Sequence, residues 1–179
     1  MIYLVRHGEA AAGWGEHPDP GLSDKGAIEA EAVATRLIAM DISHAITSPM
    51  MRCRETSAPF AERSGLDVTV VPEVTEIPTP DAIGDRREWL RGLMAGTWSD
   101  VPDLVQSWHR NLLTKISELP EKTVVFSHFI AINAIVGHIA GAPAVTVFRP
   151  NYCSVTSLSN SGGKLTLVER GESLDTRVL

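Results

Sequence analysis

Short, uninterrupted apolar runs alternate with stretches of helical periodicity along this 179-residue chain, and that alternation limits the folds it can adopt. Residues 2–5 and 124–126 are apolar throughout, which is typical of strands whose two faces are both covered by helices. Between them, Ala30, Val33 and Leu37 recur at the spacing of a helix with one apolar stripe. The pattern predicts an α/β fold, a three-layer α/β/α sandwich around a mostly parallel central sheet.

Periodicity and turn residues predict the remaining elements. A strand at 44–47 and a helix that ends near Arg63, before Gly65, repeat the first strand–helix unit. Prolines between residues 72 and 80 argue against regular structure until about Ala82. We also expect a strand at residues 67–71 and helices at residues 82–94 and 101–119. A buried strand that leads into an apolar helix is expected at residues 123–139, and a terminal hairpin at residues 154–168.

Length and composition narrow the class of protein. We expect one domain over residues 1–179, with residues 72–100 as a loop and helical cover over the site. A net charge of -6 without a cluster of lysine and arginine argues against a nucleic-acid partner. No apolar stretch is long enough for a membrane span and no secretory signal precedes the first strand, so we expect a cytoplasmic protein without a membrane partner. A homodimer is one option for its assembly.

Cysteine and histidine spacing gives no indication of a metal centre. Cys53 and Cys153 lack a CxxC partner, and we expect free thiols that pack as small hydrophobes. A metal site would need several converging ligands, and we predict neither a metal nor a cofactor. The histidines treated as structural or surface residues on this ground are His17, His44, His109 and His138.

Candidate functional side chains follow the ends of three predicted strands. Arg6 and His7 come directly after the first strand, Arg52 lies shortly after the strand at 44–47, and His128 follows the buried strand that ends near residue 127. In open sheets of this kind, ligands bind beyond the carboxyl ends of the strands. We therefore expect these side chains to converge on one pocket.

The residue types at these strand ends suit phosphoryl transfer. The oxygens of a phosphate ester repel a nucleophile, so a catalyst needs cations around the phosphoryl group and a nucleophile that stays neutral among them. Arg6 and Arg52 can each bind phosphoryl oxygens through two donors, and Gly8 allows the backbone to approach the ligand. Positive charges near His7 would lower its pKa and keep a ring nitrogen free to attack.

Further segments carry patterns that one known family shares. Residues 22–26 form a Leu-Ser-x-x-Gly helix start, residues 47–56 a Ser-Pro-x-x-Arg-x-x-x-Thr segment, residues 126–128 a Phe-Ser-His segment, and residues 151–156 a late Asn-x-x-Ser-x-Thr strand. Together with the Arg-His-Gly segment at residues 6–8, they resemble the histidine phosphatase superfamily, also called the phosphoglycerate mutase-like family. The resemblance extends over most of the sequence.

The resemblance implies a phosphohistidine at His7, with the phosphoryl group surrounded by Arg6, Arg52 and His128. Gly8, Ser127 and Glu9 are assigned to substrate binding. A carboxylate beside a phosphate is unfavourable unless it pairs with a cation, so Glu9 is expected to act in a supporting role. The family usually has glycine after its second histidine, and Phe129 at that position predicts a bulkier and more selective pocket wall.

Glu76 is the candidate general acid. In the family, this group is a glutamate in a longer Gly- and Trp-containing segment, of which residues 74–78 retain only the glutamate. The chemistry needs such a group, because a leaving alkoxide gains from a proton and the same carboxylate can then activate water. Asp81 and Glu73 are alternative donors, and a solvated loop carboxylate is the alternative interpretation of Glu76.

The resulting hypothesis is a metal-independent phosphatase that hydrolyses a phosphomonoester or a phosphoprotein through phospho-His7. The expected partner is accordingly a small phosphorylated metabolite or a phosphoprotein. A phosphohistidine protein phosphatase, a phosphoglycerate mutase and a phosphate-binding module without turnover are the competing hypotheses. The short chain disfavours the mutase, because family members with that activity carry inserted segments.

Overall fold

A six-stranded sheet forms the centre of the computed structural model, which describes residues 1–13, 17–81 and 83–173. Its spatial order is β3-β2-β4-β1-β5-β6. The first four strands in that order are mutually parallel, whereas β5 runs antiparallel to β1 and β6 antiparallel to β5. The strands are β1 (Ile2–Arg6), β2 (His44–Thr47), β3 (Val68–Val70), β4 (Thr123–Ser127), β5 (Val155–Ser161) and β6 (Lys164–Glu169).

In the described ranges, five helices cover the two faces of this sheet. They are α1 (Asp24–Ile38), α2 (Met51–Ser64), α3 (Arg86–Ala95), α4 (Asp103–Glu118) and α5 (Phe129–Ile139), with 3-10 turns at Pro72–Val74 and Trp98–Asp100. This confirms the predicted three-layer α/β fold with a mostly parallel sheet. Within the described residues, no helix is long and apolar enough to cross a membrane.

Alternating side chains of the strands divide the core into two layers. Ile2 and Leu4 of β1 pack with α3, α4 and α5 on one face of the sheet, and Val5 packs with α1 and α2 on the other. Trp108 belongs to the first layer, and Trp89 and Trp98 pack against it. Packing is therefore the role that the structure gives these three tryptophans.

Two helix ends follow the prediction. The hydroxyl of Ser23 accepts a hydrogen bond from the backbone N–H of Gly26 and caps the start of α1. Helix α2 ends at Gly65, whose φ of 71° lies in the left-handed region that glycine adopts without strain.

Other predicted boundaries differ from the observed ones. Helix α3 begins at Arg86, because the Asp85 carboxylate caps it by accepting from the backbone N–H of Arg87 and Glu88. Ala82, the predicted start, lies outside the described residues, as do residues 14–16 of the loop at 10–21. The 3-10 turn at Pro72–Val74 falls where no regular structure was predicted, and its leading proline suits the first position of a helical turn.

The predicted terminal hairpin is confirmed. Residues 159–161 continue β5 and pair with β6. Gly162 and Gly163, with φ of 61° and 90°, make the turn between them. Two positive φ angles give the twist that suits a two-residue hairpin turn, so the glycine pair alone is sufficient to reverse the chain.

Candidate active site

Strand register brings the three predicted segments together. In the parallel pair β1–β4, Arg6 lies opposite Ser127, so the next residues, His7 and His128, leave the sheet side by side. Their ring centroids are 5.3 Å apart. Strand β2 pairs with the other edge of β4 and ends at the same level, with α2 and its Arg52 following directly. A single sheet edge therefore positions all three groups.

His7 presents an unprotonated ring nitrogen to the site. Its Nδ1 lies 2.7 Å from the carbonyl oxygen of Gly8, and because a carbonyl only accepts, Nδ1 carries the proton. The Nε of Arg52 donates to His7 Nε2 at 3.1 Å, which requires a lone pair on Nε2. Nε2 is thus the nucleophilic atom of this ring.

His128 is held by contacts on both ring nitrogens. Arg52 donates from Nη2 to His128 Nδ1 at 3.1 Å, so Nδ1 is unprotonated and Nε2 donates to the hydroxyl of Ser48 at 2.7 Å. The Ser48 hydroxyl also accepts from the backbone N–H of Met50. One guanidinium therefore orients both histidines, and Ser48 anchors the second from behind.

Burial and positive charge keep both imidazoles neutral. Loss of hydration, followed by the charges of Arg52 and Arg6, holds the pKa of His7 well below its ordinary value. The pKa of His128 is also lowered well below that value, first by burial and then by His7 and Arg52. A neutral His7 is the form that can attack phosphorus.

Arg6 lies against two aromatic rings at the base of the cleft. Its guanidinium carbon is 4.0 Å from the ring centroid of Tyr152 and 5.2 Å from that of Phe129, and its Nη1 donates to the carbonyl of Pro150. Among the described residues, its buried Nε has no hydrogen-bond partner. Phe129 itself lines the cleft, as expected for a wall residue beside His128.

Glu76 is a buried carboxylate that lines the same cleft, with 7% of its surface exposed. Its oxygens accept from the backbone N–H of Ile77 at 3.2 Å and of Ile130, in the first turn of α5, at 3.4 Å. Burial raises the pKa of Glu76, against the opposing charge of Arg52. Glu73 and Asp81, the alternative donors, are exposed, and neither lines the cleft.

Gly8, Ser127 and Glu9, which were expected to bind substrate, are not among the described residues that line the cleft. A Cβ on Gly8 would lie 2.6 Å from the carbonyl oxygen of Gly26, so close backbone packing requires glycine there. The Ser127 hydroxyl donates to the Val74 carbonyl at 2.7 Å, which ties β4 to the 3-10 turn.

Glu9 lies at the start of α1. Its carboxylate accepts from the hydroxyl of Ser23 at 2.9 Å and pairs with Lys25 at 3.0 Å. The hydrogen bond from Lys25 is the main cause of its lowered pKa. Pairing with a lysine therefore satisfies the Glu9 carboxylate away from the cleft.

Sequence reasoning missed several residues that build the site. Thr56 accepts from the backbone N–H of Gly8 and donates to the carbonyl of Arg52, which fixes the segment after β1 to the start of α2. The roles of Ser48 and Thr56 could have been suspected from the shared segment at 47–56. Tyr152 lies in a loop whose position against Arg6 depends on the tertiary fold, and no local pattern indicates it.

Cys53 is a free thiol packed behind the second histidine. Its Sγ is 3.4 Å from His128 Nε2 and donates to the carbonyl of Ser127 at 3.4 Å. Burial raises its pKa, so the thiol stays protonated. Cys153 is also free, as predicted. In the described part of the chain, no three His, Cys, Asp or Glu side chains are grouped to hold a metal ion.

The site opens into a cleft of about 1060 Å³. Among the described residues that line it, Glu76 is the one acidic side chain, and the lining arginines are Arg6, Arg52, Arg86, Arg87, Arg91 and Arg149. Such an excess of cations makes the cleft locally positive in a protein with a net charge of -6.

Known proteins share this architecture and sequence. A relative from Escherichia fergusonii with the name "Probable phosphoglycerate mutase GpmB" is 31% identical over 167 residues, covering 80% of this chain and 76% of the relative. A solved mycobacterial glucosyl-3-phosphoglycerate phosphatase matches with a TM-score of 0.74 and 22% identity over 96% of this chain and 98% of the other. The alpha-ribazole phosphatase of Shigella flexneri gives a TM-score of 0.76 at 18% identity, covering 98% of each chain.

The sequence pattern of one family matches nearly the whole described chain. The match runs over residues 2–173 and includes every strand and helix described above. The chain belongs to the histidine phosphatase superfamily (branch 1).

Proposed function

We propose that the protein hydrolyses phosphomonoesters, of a small metabolite or of a phosphoprotein, in two steps through a phosphohistidine on His7. The observation that carries the proposal is the hydrogen bond from Arg52 Nε to His7 Nε2, which requires an unprotonated ring nitrogen beside the guanidinium. A neutral nucleophile beside donors for phosphoryl oxygens is what attack on a phosphate ester requires.

In the first step, His7 Nε2 forms a bond to phosphorus and the ester P–O bond breaks. The leaving oxygen takes a proton from Glu76, whose raised pKa favours the protonated carboxyl group. In the second step, the Glu76 carboxylate takes a proton from water as its oxygen attacks phosphorus, and the P–N bond breaks. Phosphate leaves, with His7 neutral and Glu76 protonated again.

Arg52, Arg6 and His128 are proposed to hold the phosphoryl group through both steps. Arg52 now donates to His7 Nε2 and His128 Nδ1, and the same donors would serve phosphoryl oxygens placed between the rings. Arg6 lines the same cleft beside them. We also propose that one domain holds this site, with residues 72–100 as its cover, and that it acts in the cytoplasm.

Two solved relatives of the same fold are named for phosphatase activity on small phosphorylated molecules, which supports a metabolite as substrate. Hydrolysis of p-nitrophenyl phosphate in the presence of EDTA tests the proposal. We expect nitrophenol release that disappears in His7→Ala, while circular dichroism and thermal unfolding show a folded variant. A folded variant that hydrolyses the ester at the original rate would refute His7 as the nucleophile.

A mutase is the second candidate, and the name of the Escherichia fergusonii relative favours it. A mutase returns the phosphoryl group to a second hydroxyl, whereas a phosphatase transfers it to water. Incubation with 3-phosphoglycerate separates the two, because a mutase forms 2-phosphoglycerate and a phosphatase releases inorganic phosphate. We expect inorganic phosphate to be the product of any turnover.

A phosphohistidine protein phosphatase and a phosphate-binding module would each give a distinct result. The protein phosphatase would not depend on Glu76, because phosphohistidine is a good leaving group without a proton donor. A binding module would bind phosphate esters without releasing inorganic phosphate.

A further inference from the structure

The cleft contains more positive charge than one phosphoryl group needs. Arg6 and Arg52 lie at the nucleophile, while Arg86, Arg91 and Arg149 line the cleft beyond them. The Nε of Arg86 donates to the Thr79 hydroxyl at 2.7 Å, and the charge of Glu76 also acts on this guanidinium. Arg86 is thus already engaged near the catalytic groups.

Arg91 and Arg149 differ from Arg86 in their environment. Both side chains are exposed, and neither forms an ion pair or a hydrogen bond with any residue that the structure describes. Glu76, the acidic side chain of the described cleft, accepts from the backbone N–H groups of Ile77 and of Ile130, the latter in the first turn of α5. Within the described chain, two cations therefore line the cleft without a protein anion to neutralise them.

Their positions follow from two separate elements. On α3, Arg91 shares one face with Met94 and Ala95, three and four residues further on, and all three line the cleft. Arg149 reaches the cleft from the loop between α5 and β5, next to Phe148. In the same loop, Thr146 lines the cleft, and its buried hydroxyl lacks a hydrogen-bond partner among the described residues.

The cleft is also much larger than a phosphoryl group. Its volume of about 1060 Å³ is at the upper limit of sites that enclose a whole organic ligand. We propose that the preferred substrate is a phosphomonoester with a second anionic group, a carboxylate or another phosphoryl group, and that Arg91 and Arg149 bind this second group. The inference rests on the proposed function, since the first phosphoryl group is placed at His7.

Matched esters that differ only in the second anion test the proposal. The pairs are 6-phosphogluconate with sorbitol 6-phosphate, and 3-phosphoglycerate with glycerol 3-phosphate; sorbitol 1,6-bisphosphate tests a second phosphoryl group in place of a carboxylate. We expect kcat/KM to be about 10- to 100-fold higher for the member that carries the second anion in at least one pair, as for a charge-assisted hydrogen bond. The preference should decrease as salt rises, because the two arginines are exposed.

Substitution of Arg91 and Arg149 tests whether these two side chains cause the preference for a second anion. Arg91→Gln and Arg149→Gln should each lower the kcat/KM ratio within the preferred pair, mainly through KM. Arg110→Gln removes an exposed arginine of α4 that does not line the cleft, and it should leave the ratio unchanged. A ratio near one for every pair, or a ratio that both cleft variants retain, would overturn the proposal.

Failure of this inference and failure of the proposed function give different results. Hydrolysis of p-nitrophenyl phosphate that depends on His7, without any preference among the pairs, would contradict only the second anion site. If no ester is hydrolysed, calorimetric binding of the same pairs to the protein makes the same comparison without turnover. Equal affinities within each pair would then count against Arg91 and Arg149 as a binding site.

Discussion

Arg52 connects the groups on which the proposed chemistry depends, since its guanidinium contacts a nitrogen of each histidine. Both contacts use N–H donors, so both histidines must offer lone pairs, which agrees with their lowered pKa values. Lysine carries one ammonium group and cannot reproduce two fixed donors in one plane. The arginine therefore orients both rings, and in the proposed mechanism the same donors bind phosphoryl oxygens.

Glu76→Gln tests the general acid at the scale of one residue. For an alkyl phosphate, whose leaving group needs a proton, we expect kcat to fall about 10²- to 10⁴-fold. For p-nitrophenyl phosphate, whose leaving group is stable without a proton, formation of the phosphoenzyme should be much less affected. Measuring single-turnover rates on both esters checks this, and equal losses would argue against proton donation to the leaving group.

The pH dependence of activity, with and without Glu76→Gln, tests the protonation states of Glu76 and His7. Because the pKa of Glu76 is raised, its carboxyl group keeps the proton to higher pH, and first-step activity should decrease as pH rises through that pKa. Because the pKa of His7 is lowered, the nucleophile stays neutral in mild acid and activity should persist there. Glu76→Gln should remove the decrease at high pH, and a profile identical to that of the unsubstituted protein would contradict the assignment.

At this scale, the sequence predicted residue types better than side-chain directions. His7, Arg6, Arg52 and His128 were placed together because each follows a strand end and matches a shared motif. Ser127 is adjacent to one of them but turns toward Val74, and a sequence does not contain that direction. Arg149 reaches the cleft only through the loop between α5 and β5, so no local pattern indicated it.

At the scale of elements, the close contact between the segment after β1 and helix α1 positions His7. A Cβ on Gly26 would lie 2.1 Å from the carbonyl oxygen of Glu9, closer than any side chain allows. We expect Gly26→Ala to destabilise the protein by about 1–3 kcal/mol, as overpacking does, despite the better helix propensity of alanine. Chemical denaturation with a two-state analysis measures the change.

Gly92→Ala is the matched control, because Gly92 lies inside α3 and a Cβ there meets nothing within 4 Å. Without a steric cost, alanine should stabilise the helix by up to about 1 kcal/mol. Because the two substitutions are expected to change the free energy of unfolding in opposite directions, they separate the effect of close packing from that of helix propensity. A Gly26→Ala protein as stable as the Gly92→Ala protein would show that the contact between α1 and the segment after β1 does not constrain the fold.

Element types were predicted more reliably than their ends. Apolar runs and helical stripes determine which segments are strands and helices, because burial requires them. Ends depend on local caps, and the sequence-based start of α3 near Ala82 missed the Asp85 carboxylate that sets the start at Arg86. Sheet order and register also depend on contacts between distant segments, which no window of sequence reports.

For the molecule as a whole, the cleft joins segments that are far apart in the chain, so a bound anion should stabilise the complete fold. Inorganic phosphate at 100 times its dissociation constant should add about 2.7 kcal/mol to the free energy of unfolding. For a chain of this length, that corresponds to a rise in Tm of roughly 5–10 °C in a thermal scan. Chloride at the same ionic strength is the control and should have a much smaller effect.

Arg52→Lys tests whether that stabilisation arises at the catalytic centre. We expect a smaller rise in Tm for the variant at the same phosphate concentration, because lysine cannot provide two fixed donors. An unchanged rise would indicate that phosphate stabilises the protein from another place on its surface.

Covalent transfer of the phosphoryl group to His7 is the central step of the proposed mechanism. Glu76→Gln should accumulate the intermediate from p-nitrophenyl phosphate, because the first step needs no proton donor for this ester while the second needs a base to activate water. The most direct measurement is rapid quenching of this variant with ³²P-labelled ester, followed by peptide analysis under alkaline conditions. We predict acid-labile, alkali-stable label on His7, absent from a folded His7→Ala, Glu76→Gln protein. Label on another residue that persists without His7, or nitrophenol release with no labelled protein, would contradict the mechanism.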